Sequence, residues 1–147
     1  MNDVNFRVWI KSRNRLQYLL GFVYNKSKTE IRIWYLNDDE NIVNESFPVD
    51  NVILMQGLGI GDENKREIYE GSCNIDYNDE TMFVITRKDG QFGYDIYFLC
   101  DNGSFEYHEF ETLDSYFFDR LDFSDHIYKH YDSPKYLSII EDFEELI

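Results

Sequence analysis

The sequence predicts a mainly β fold (β-rich α+β), a small twisted antiparallel sheet with a hairpin meander and a short C-terminal helix. Three observations carry this. Apolar and polar residues alternate with period two in segment after segment, the mark of strands with one face in a core and the other in water. Asp-Gly and Asn-Gly pairs punctuate those segments, a strong hairpin signal. The 147 residues also include 12 Tyr and 12 Phe, side chains that favour pleated, half-buried surfaces. The length suits a single domain, 1–147, with one core.

The elements follow in order. "FRVWI" (Phe6 to Ile10) places Phe6, Val8 and Ile10 on one face and Arg7 and Trp9 on the other, a half-buried strand. "KSRNR" is a polar connector. "LQYLLGFVY" (Leu16 to Tyr24) resumes as a strand with Gly21 at a bulge or kink. "NKSK" turns the chain. "EIRIWYL" (Glu30 to Leu36) alternates, with Ile31, Ile33 and Tyr35 on a shared face. "NDDEN" is a second turn. A weaker strand runs from about Ile42 to Phe47, and a short apolar run, Val52 to Met55, follows Pro48.

"LMQGLGIGDENKREIYEG" (Leu54 to Gly71) reads as a glycine-rich turn between strands. Asp62 to Arg66 is its polar tip, expected to face water, where substitutions typically cost within about 0.5 kcal/mol. Gly71 is expected to be the more sensitive position. With φ > 0, or with backbone packed against it, Gly71→Ala costs more than about 1 kcal/mol. Turn signals at Asn78-Asp79, Lys88-Asp89-Gly90 and Asp101-Asn102-Gly103 then divide a meander, with Phe105, Tyr107 and Glu109 sharing a face in its last strand. Thr112 to Asp125 fits a short helix capped by Thr112 or a loop. In the tail the period changes: Ser133 as N-cap and Pro134 at the first helical position open a helix with Tyr136, Ile139 or Ile140, Phe143 and Leu146 at helical spacing.

No apolar run reaches about 18 residues, the length of a membrane span, and Met1 to Ile10 does not read as a signal peptide. The two cysteines, Cys73 and Cys100, read as inert thiols. The formal net charge is −15 but uneven. Residues 1–35 hold seven Lys/Arg against two acids, and residues 36–147 hold seven against 27. A net-acidic body repels phosphate backbones. Arg7, Trp9, Arg32 and Trp34 are the one place where cations and rings mix as a nucleic-acid platform requires, so nucleic acid is not the expected partner.

Motifs for chemistry fail on their spacing. Gly57, Gly59 and Gly61 lack the third glycine of a dinucleotide fingerprint, and no Walker Lys-Ser/Thr exists. A calcium loop read from Asp62 has Arg66, Glu67 and Cys73 where a ligand, a glycine and a glutamate belong. His126 and His130 stand four apart, with Asp125 and Asp132 near, but Ile127 occupies the place of a metalloprotease glutamate; both read as surface histidines. His108 has no neighbour that marks it as a base, and Ser72 no signature of activation. No catalytic, cofactor or metal residue is assigned, and no cofactor is expected.

Three segments together resemble the YopX family of phage and prophage proteins. "NFRVWIKSRNRL" is similar to the family's opening FRVWD strand and basic connector, with Ile10 where an Asp is usual. "LMQ" and "EIYEG" match its central pattern, on which Gly59, Asp62, Asn64, Glu67, Ile68, Tyr69, Glu70 and Gly71 fall. "DHIYKHYDSPKYL" resembles its later IY–NPELL segment, with an insertion before Pro134. Departures are Gly57-Leu58 for Tyr-Thr, Lys65 for a turn glycine, and Ser72-Cys73-Asn74 for Asp followed by apolar residues. The resemblance implies a mostly β, barrel-like domain and a phage accessory role in the bacterial host cytoplasm. It transfers no catalytic or ligand residue.

The leading expectation is a non-enzymatic protein-binding or self-assembling module, a homo-oligomer in which the basic N-terminal third meets the acidic remainder of another copy. The alternative is an acidic inhibitor of a host DNA-handling or defence protein, and a second alternative a carboxylate- or His-based enzyme.

Overall fold

Strand β1 (Phe6–Ile10) lies between two antiparallel neighbours, β2 (Arg15–Tyr18) and the first half of β6 (Val52–Gly61). The computed structural model that shows this describes residues 4–113 and 121–146, so most of the ambiguous Thr112–Asp125 segment lies outside the described residues. The architecture is mainly β, with antiparallel sheets and a short C-terminal helix. Two units divide it, Met1–Gln56 and Gly57–Ile147.

In the first unit, β4 (Glu30–Leu36) pairs with β3 (Gly21–Tyr24) and β5 (Ile42–Pro48). The continuous strand expected over Leu16–Tyr24 is broken at its middle. The Leu19 N–H donates to the Phe6 carbonyl at 3.0 Å, and the Leu20 N–H donates to that of Trp34 at 2.7 Å. The chain thus leaves β1 and joins β4 within two residues, and both of these backbone donors stay satisfied at the bend. Alternation along β4 buries Ile31, Ile33 and Tyr35, which pack with Val8, Ile10, Phe47 and Val52. β1 departs from its half-buried expectation, because Arg7 and Trp9 are buried as well.

In the second unit the meander is realised as β8 (Ser72–Asp76), β9 (Thr81–Lys88), β10 (Gln91–Leu99) and β11 (Phe105–Thr112), with the short β12 (Asp125–His126) on the far side of β8. All three turn signals fall at the junctions between these strands, with Lys88 itself the last residue of β9. A strand does follow Gly71 despite the departures there. The face expected to unite Tyr107 and Glu109 is split by a bulge: Tyr107 pairs with Tyr97 but Glu109 pairs with Ile96. Successive residues of β10 point to opposite faces.

The glycine-rich stretch differs from its reading as a turn. Gly57, Gly59 and Gly61 belong to β6, whose pairing with β7 (Glu67–Tyr69) shifts register between Gly57 and Gly61. Gly59 has φ 74 within that irregular segment. The turn itself is Asp62 to Arg66. Glu63 to Arg66 are exposed as expected, but Asp62 is buried. Lys65, where the family pattern has glycine, keeps a left-handed φ of 61.

At the tail, Ser133 and Pro134 open a 3₁₀ turn (Pro134–Tyr136) rather than the α-helix directly, and the Ser133 side chain makes no capping hydrogen bond. Helix α1 (Leu137–Leu146) follows and packs against β9 and β11. Its buried side chains, Ile139, Ile140 and Phe143, follow the predicted helical spacing, but Leu146, which that spacing places with them, is exposed in the last turn.

Candidate functional site

One face of β10 carries Gly93, Asp95 and Tyr97, all buried. The same face of β9 carries Met82, Val84, Thr86 and Lys88, since Met82 pairs with Tyr97, Val84 with Asp95 and Thr86 with Gly93. An aspartate in a core row needs a partner, and Lys88 supplies it. Its Nζ donates to Asp95 Oδ1 at 2.9 Å and to the Tyr107 hydroxyl at 3.0 Å. The ammonium also lies 4.7 Å from the centre of the Tyr107 ring and 5.1 Å from that of Phe110, cation–π distances. On the helix side, the Tyr97 hydroxyl donates to Asp142 Oδ2 at 3.2 Å. Lys88, Asp95, Tyr97, Tyr107 and Asp142, with Glu145 and Leu146 from the last turn of α1, line a cleft of about 400 Å³.

The electrostatics of the cleft follow from burial and hydrogen bonding. Burial works to lower the Lys88 pKa, but its bonds to Tyr107 and Asp95 outweigh that and raise it. The lysine is therefore held as an ammonium and is no nucleophile or base near neutrality. Burial raises Asp95, against the opposing pull of Lys88. Burial foremost, then the Asp95 and Asp142 carboxylates, push the Tyr97 phenol far up, so it stays neutral and donates. Asp142 and Glu145 line the same cleft.

Because the folded Lys88 pKa exceeds the unfolded one, its contribution to stability is fully present below the ordinary lysine value of 10.5. It is lost as pH rises through the higher folded value. Thermal melts of the parent and Lys88→Met are expected to differ clearly at pH 8, where the variant leaves Asp95 without its cation. The gap should narrow as the pH is raised past the ordinary lysine value. A gap that stays constant would mean that Lys88 contributes packing alone.

The residues singled out by the sequence lie elsewhere. His126 Nδ1 accepts from the Lys129 N–H at 3.2 Å and caps a 3₁₀ turn, Ile127–His130. His130 Nε2 lies 2.9 Å from Asp125 Oδ2, and its ring stacks on Tyr136 at 4.1 Å. The two imidazoles thus serve different partners. No group of three or more His, Cys, Asp or Glu among the described residues could hold a metal ion. His108 packs against the Phe98 ring. The Ser72 hydroxyl accepts from the Tyr69 N–H at 3.1 Å and braces the turn at Glu70-Gly71. Of the ring-and-cation set, Arg7 and Trp9 are buried, while Arg32 is exposed and donates to Asn44. Cys73 is buried; the Cys100 thiol is pushed up by desolvation and by the Glu106 and Asp101 carboxylates, which works against reactivity.

The cleft residues carried one weak signal, a lone acid inside the apolar strand "GYDIY". Lys88 was read only as part of a turn, and its link to Tyr107 crosses β10, which no local pattern reveals.

Comparison with known proteins adds the following. A family model described as "YopX protein" matches residues 5–116, a stretch that runs through both units. The crystal structure of protein EF1440 from Enterococcus faecalis is similar in fold, with a TM-score of 0.57 at 16% identity, covering 90% of this chain and 98% of that one. No curated protein matches. No helix among the described residues is long and apolar enough to cross a membrane.

Proposed function

Since the chain belongs to the YopX protein family, we propose that it is a phage or prophage accessory protein that works as a non-enzymatic, self-assembling binding module. The observation that carries this is the segregation of charge. Residues 1–35 are net +5 and residues 36–147 net −20. One copy therefore offers another a complementary surface, and exposed opposite charges steer and orient association. The cleft fits this reading: its lysine is clamped, its phenol is neutral, and its two outer carboxylates have the chemistry of a receptor for cations.

Association through exposed charges is screened over about 8–10 Å at physiological ionic strength. Light scattering is expected to show a homo-oligomer at low salt that dissociates as salt rises. A monomer at low salt and high protein concentration would overturn the proposal.

A second reading rests on β11, where Glu106, Glu109 and Glu111 are all exposed. They belong to the stretch Asp101–Ile147, which holds 13 acids and three Lys/Arg. Such a surface suits the basic groove of a host DNA-handling protein. A low-salt pull-down from host lysate that recovers no basic, nucleic-acid-binding protein would remove this reading.

A further inference from the structure

We infer that the cleft bounded by Asp142 and Glu145 receives the tip of the β3–β4 hairpin, carrying Lys26 and Lys28, from a second copy of this chain. The inference rests on the self-assembly reading and names the two surfaces that meet. The tip follows by elimination among the seven basic residues of the N-terminal third. Arg7 is buried. Arg13 pairs with Glu45 at 2.7 Å, Arg15 with Asp38 at 3.4 Å, and Arg32 donates to Asn44 at 3.2 Å. Lys11 also has a partner. Lys26 and Lys28 are exposed and make no ion pair among the described residues.

The tip is preorganised as a recognition element. Asn25 Oδ1 accepts from the Thr29 and Glu30 N–H groups at 2.9 and 3.0 Å, and the Asn25 side-chain amide donates to the Thr29 hydroxyl. Lys28 holds a left-handed φ of 58 in that turn. A turn fixed by its own hydrogen bonds loses little freedom on docking. Next to it, Val23 and Tyr24 are 52% and 41% exposed on a strand at the edge of its sheet.

The cleft offers the matching chemistry. Asp95 already balances Lys88, so Asp142 and Glu145 leave it net negative. Tyr107 and Leu146, 48% and 40% exposed, give an apolar rim for lysine stems and for Tyr24. Lys88 Nζ donates to the Tyr107 oxygen, which leaves the phenol proton directed to another acceptor. The carbonyls of a hairpin tip provide one.

The test is a charge exchange on three exposed residues, followed by analytical ultracentrifugation at low salt. Lys26→Glu/Lys28→Glu and, separately, Glu145→Lys should each weaken self-association about tenfold or more, with thermal melts unchanged. Mixing the two variants should restore it, because the glutamate tip of one then meets Lys at position 145 of the other. Three results overturn the inference in distinguishable ways. If the parent is a monomer, the self-assembly reading falls and takes this one with it. If the parent assembles and Glu145→Lys does so equally well, the cleft is not the seat, and self-assembly stands. If both variants dissociate and the mixture stays apart, each residue matters but they do not meet.

Discussion

Gly93→Ala is expected to destabilise the protein by about 3 kcal/mol or more, because no room exists for a single methyl group. A Cβ built on Gly93 would run into the backbone carbonyl oxygen of Glu111 and the ring of Phe110. A flexible side chain could move aside, but the carbonyl belongs to β11 where it pairs with β10, and Gly93 itself pairs with Thr112. Relief requires parting two strands. The consequence reaches the cleft, because the Phe110 ring that crosses Gly93 is also the ring beneath the Lys88 ammonium. Urea melts should show the lower midpoint. The Lys88-dependent narrowing of stability at alkaline pH should weaken in the same variant. By contrast, Gly21→Ala is expected to be mild, since its Cβ would meet nothing within 4 Å. If Gly93→Ala melts like the parent, the close approach of β11 is wrong.

That glycine also marks where sequence reading stops. A glycine inside a strand announces either a bulge or a close backbone approach, and only the tertiary pairing decides between them. What was legible was local. Period-two alternation located β1, β4 and the strands of the meander. The Asp-Gly and Asn-Gly pairs set their turns, and helical spacing picked out Ile139, Ile140 and Phe143. What was not legible depends on a neighbour distant in sequence. The break at Leu19–Leu20 arises because adjacent N–H groups donate to carbonyls on different strands, that of Phe6 on β1 and that of Trp34 on β4. The bulge that separates Tyr107 from Glu109 exists only against β10. Burial of Arg7 and Trp9 follows from where β1 sits, which its own alternation cannot report.

The candidate site was less legible than the fold for the same reason. Its polar groups come from β9, β10, β11 and α1, and apart from Lys88 and Asp95, seven residues apart on one hairpin, its hydrogen-bonded side chains are distant in sequence. Acid residues are so frequent here, 29 Asp and Glu in 147 residues, that proximity in sequence gave no sign of which would be buried. The structure separates Asp95, which needs Lys88 to be tolerated, from Glu145, which is exposed and free to meet a partner.

Asp62→Ala is expected to destabilise by about 3 kcal/mol, more than the roughly 1–2 kcal/mol expected for Gly71→Ala. This reverses the order that the sequence suggested, in which Asp62 lay at a solvated tip. Asp62 is 4% exposed, and its carboxylate organises two segments at once. Oδ1 accepts from the Asn64 and Arg66 N–H groups at 2.9 and 3.0 Å, closing the turn. Oδ2 accepts from the Phe123 N–H at 2.9 Å, 61 residues away. Phe123 is itself in the core with Ile68 and Ile85, so alanine would strand a buried donor as well as loosen the turn. Stranding such a donor alone costs about 1–3 kcal/mol. Gly71 is buried with φ 84, and its N–H and carbonyl bond to Ile85 and Ile127 at 2.8 and 3.0 Å. Alanine there keeps both bonds and incurs the left-handed backbone cost. Asp62→Asn separates the two functions of the carboxylate. Its amide oxygen can serve the turn, while its NH₂ would face the Phe123 N–H, so it should recover part of the loss but not all. Denaturant midpoints for the three variants should fall in the order parent, Gly71→Ala, Asp62→Ala, with Asp62→Asn above Asp62→Ala. An Asp62→Ala midpoint within about 0.5 kcal/mol of the parent, the usual range for a surface change, would return Asp62 to the solvated tip and remove its bond to Phe123.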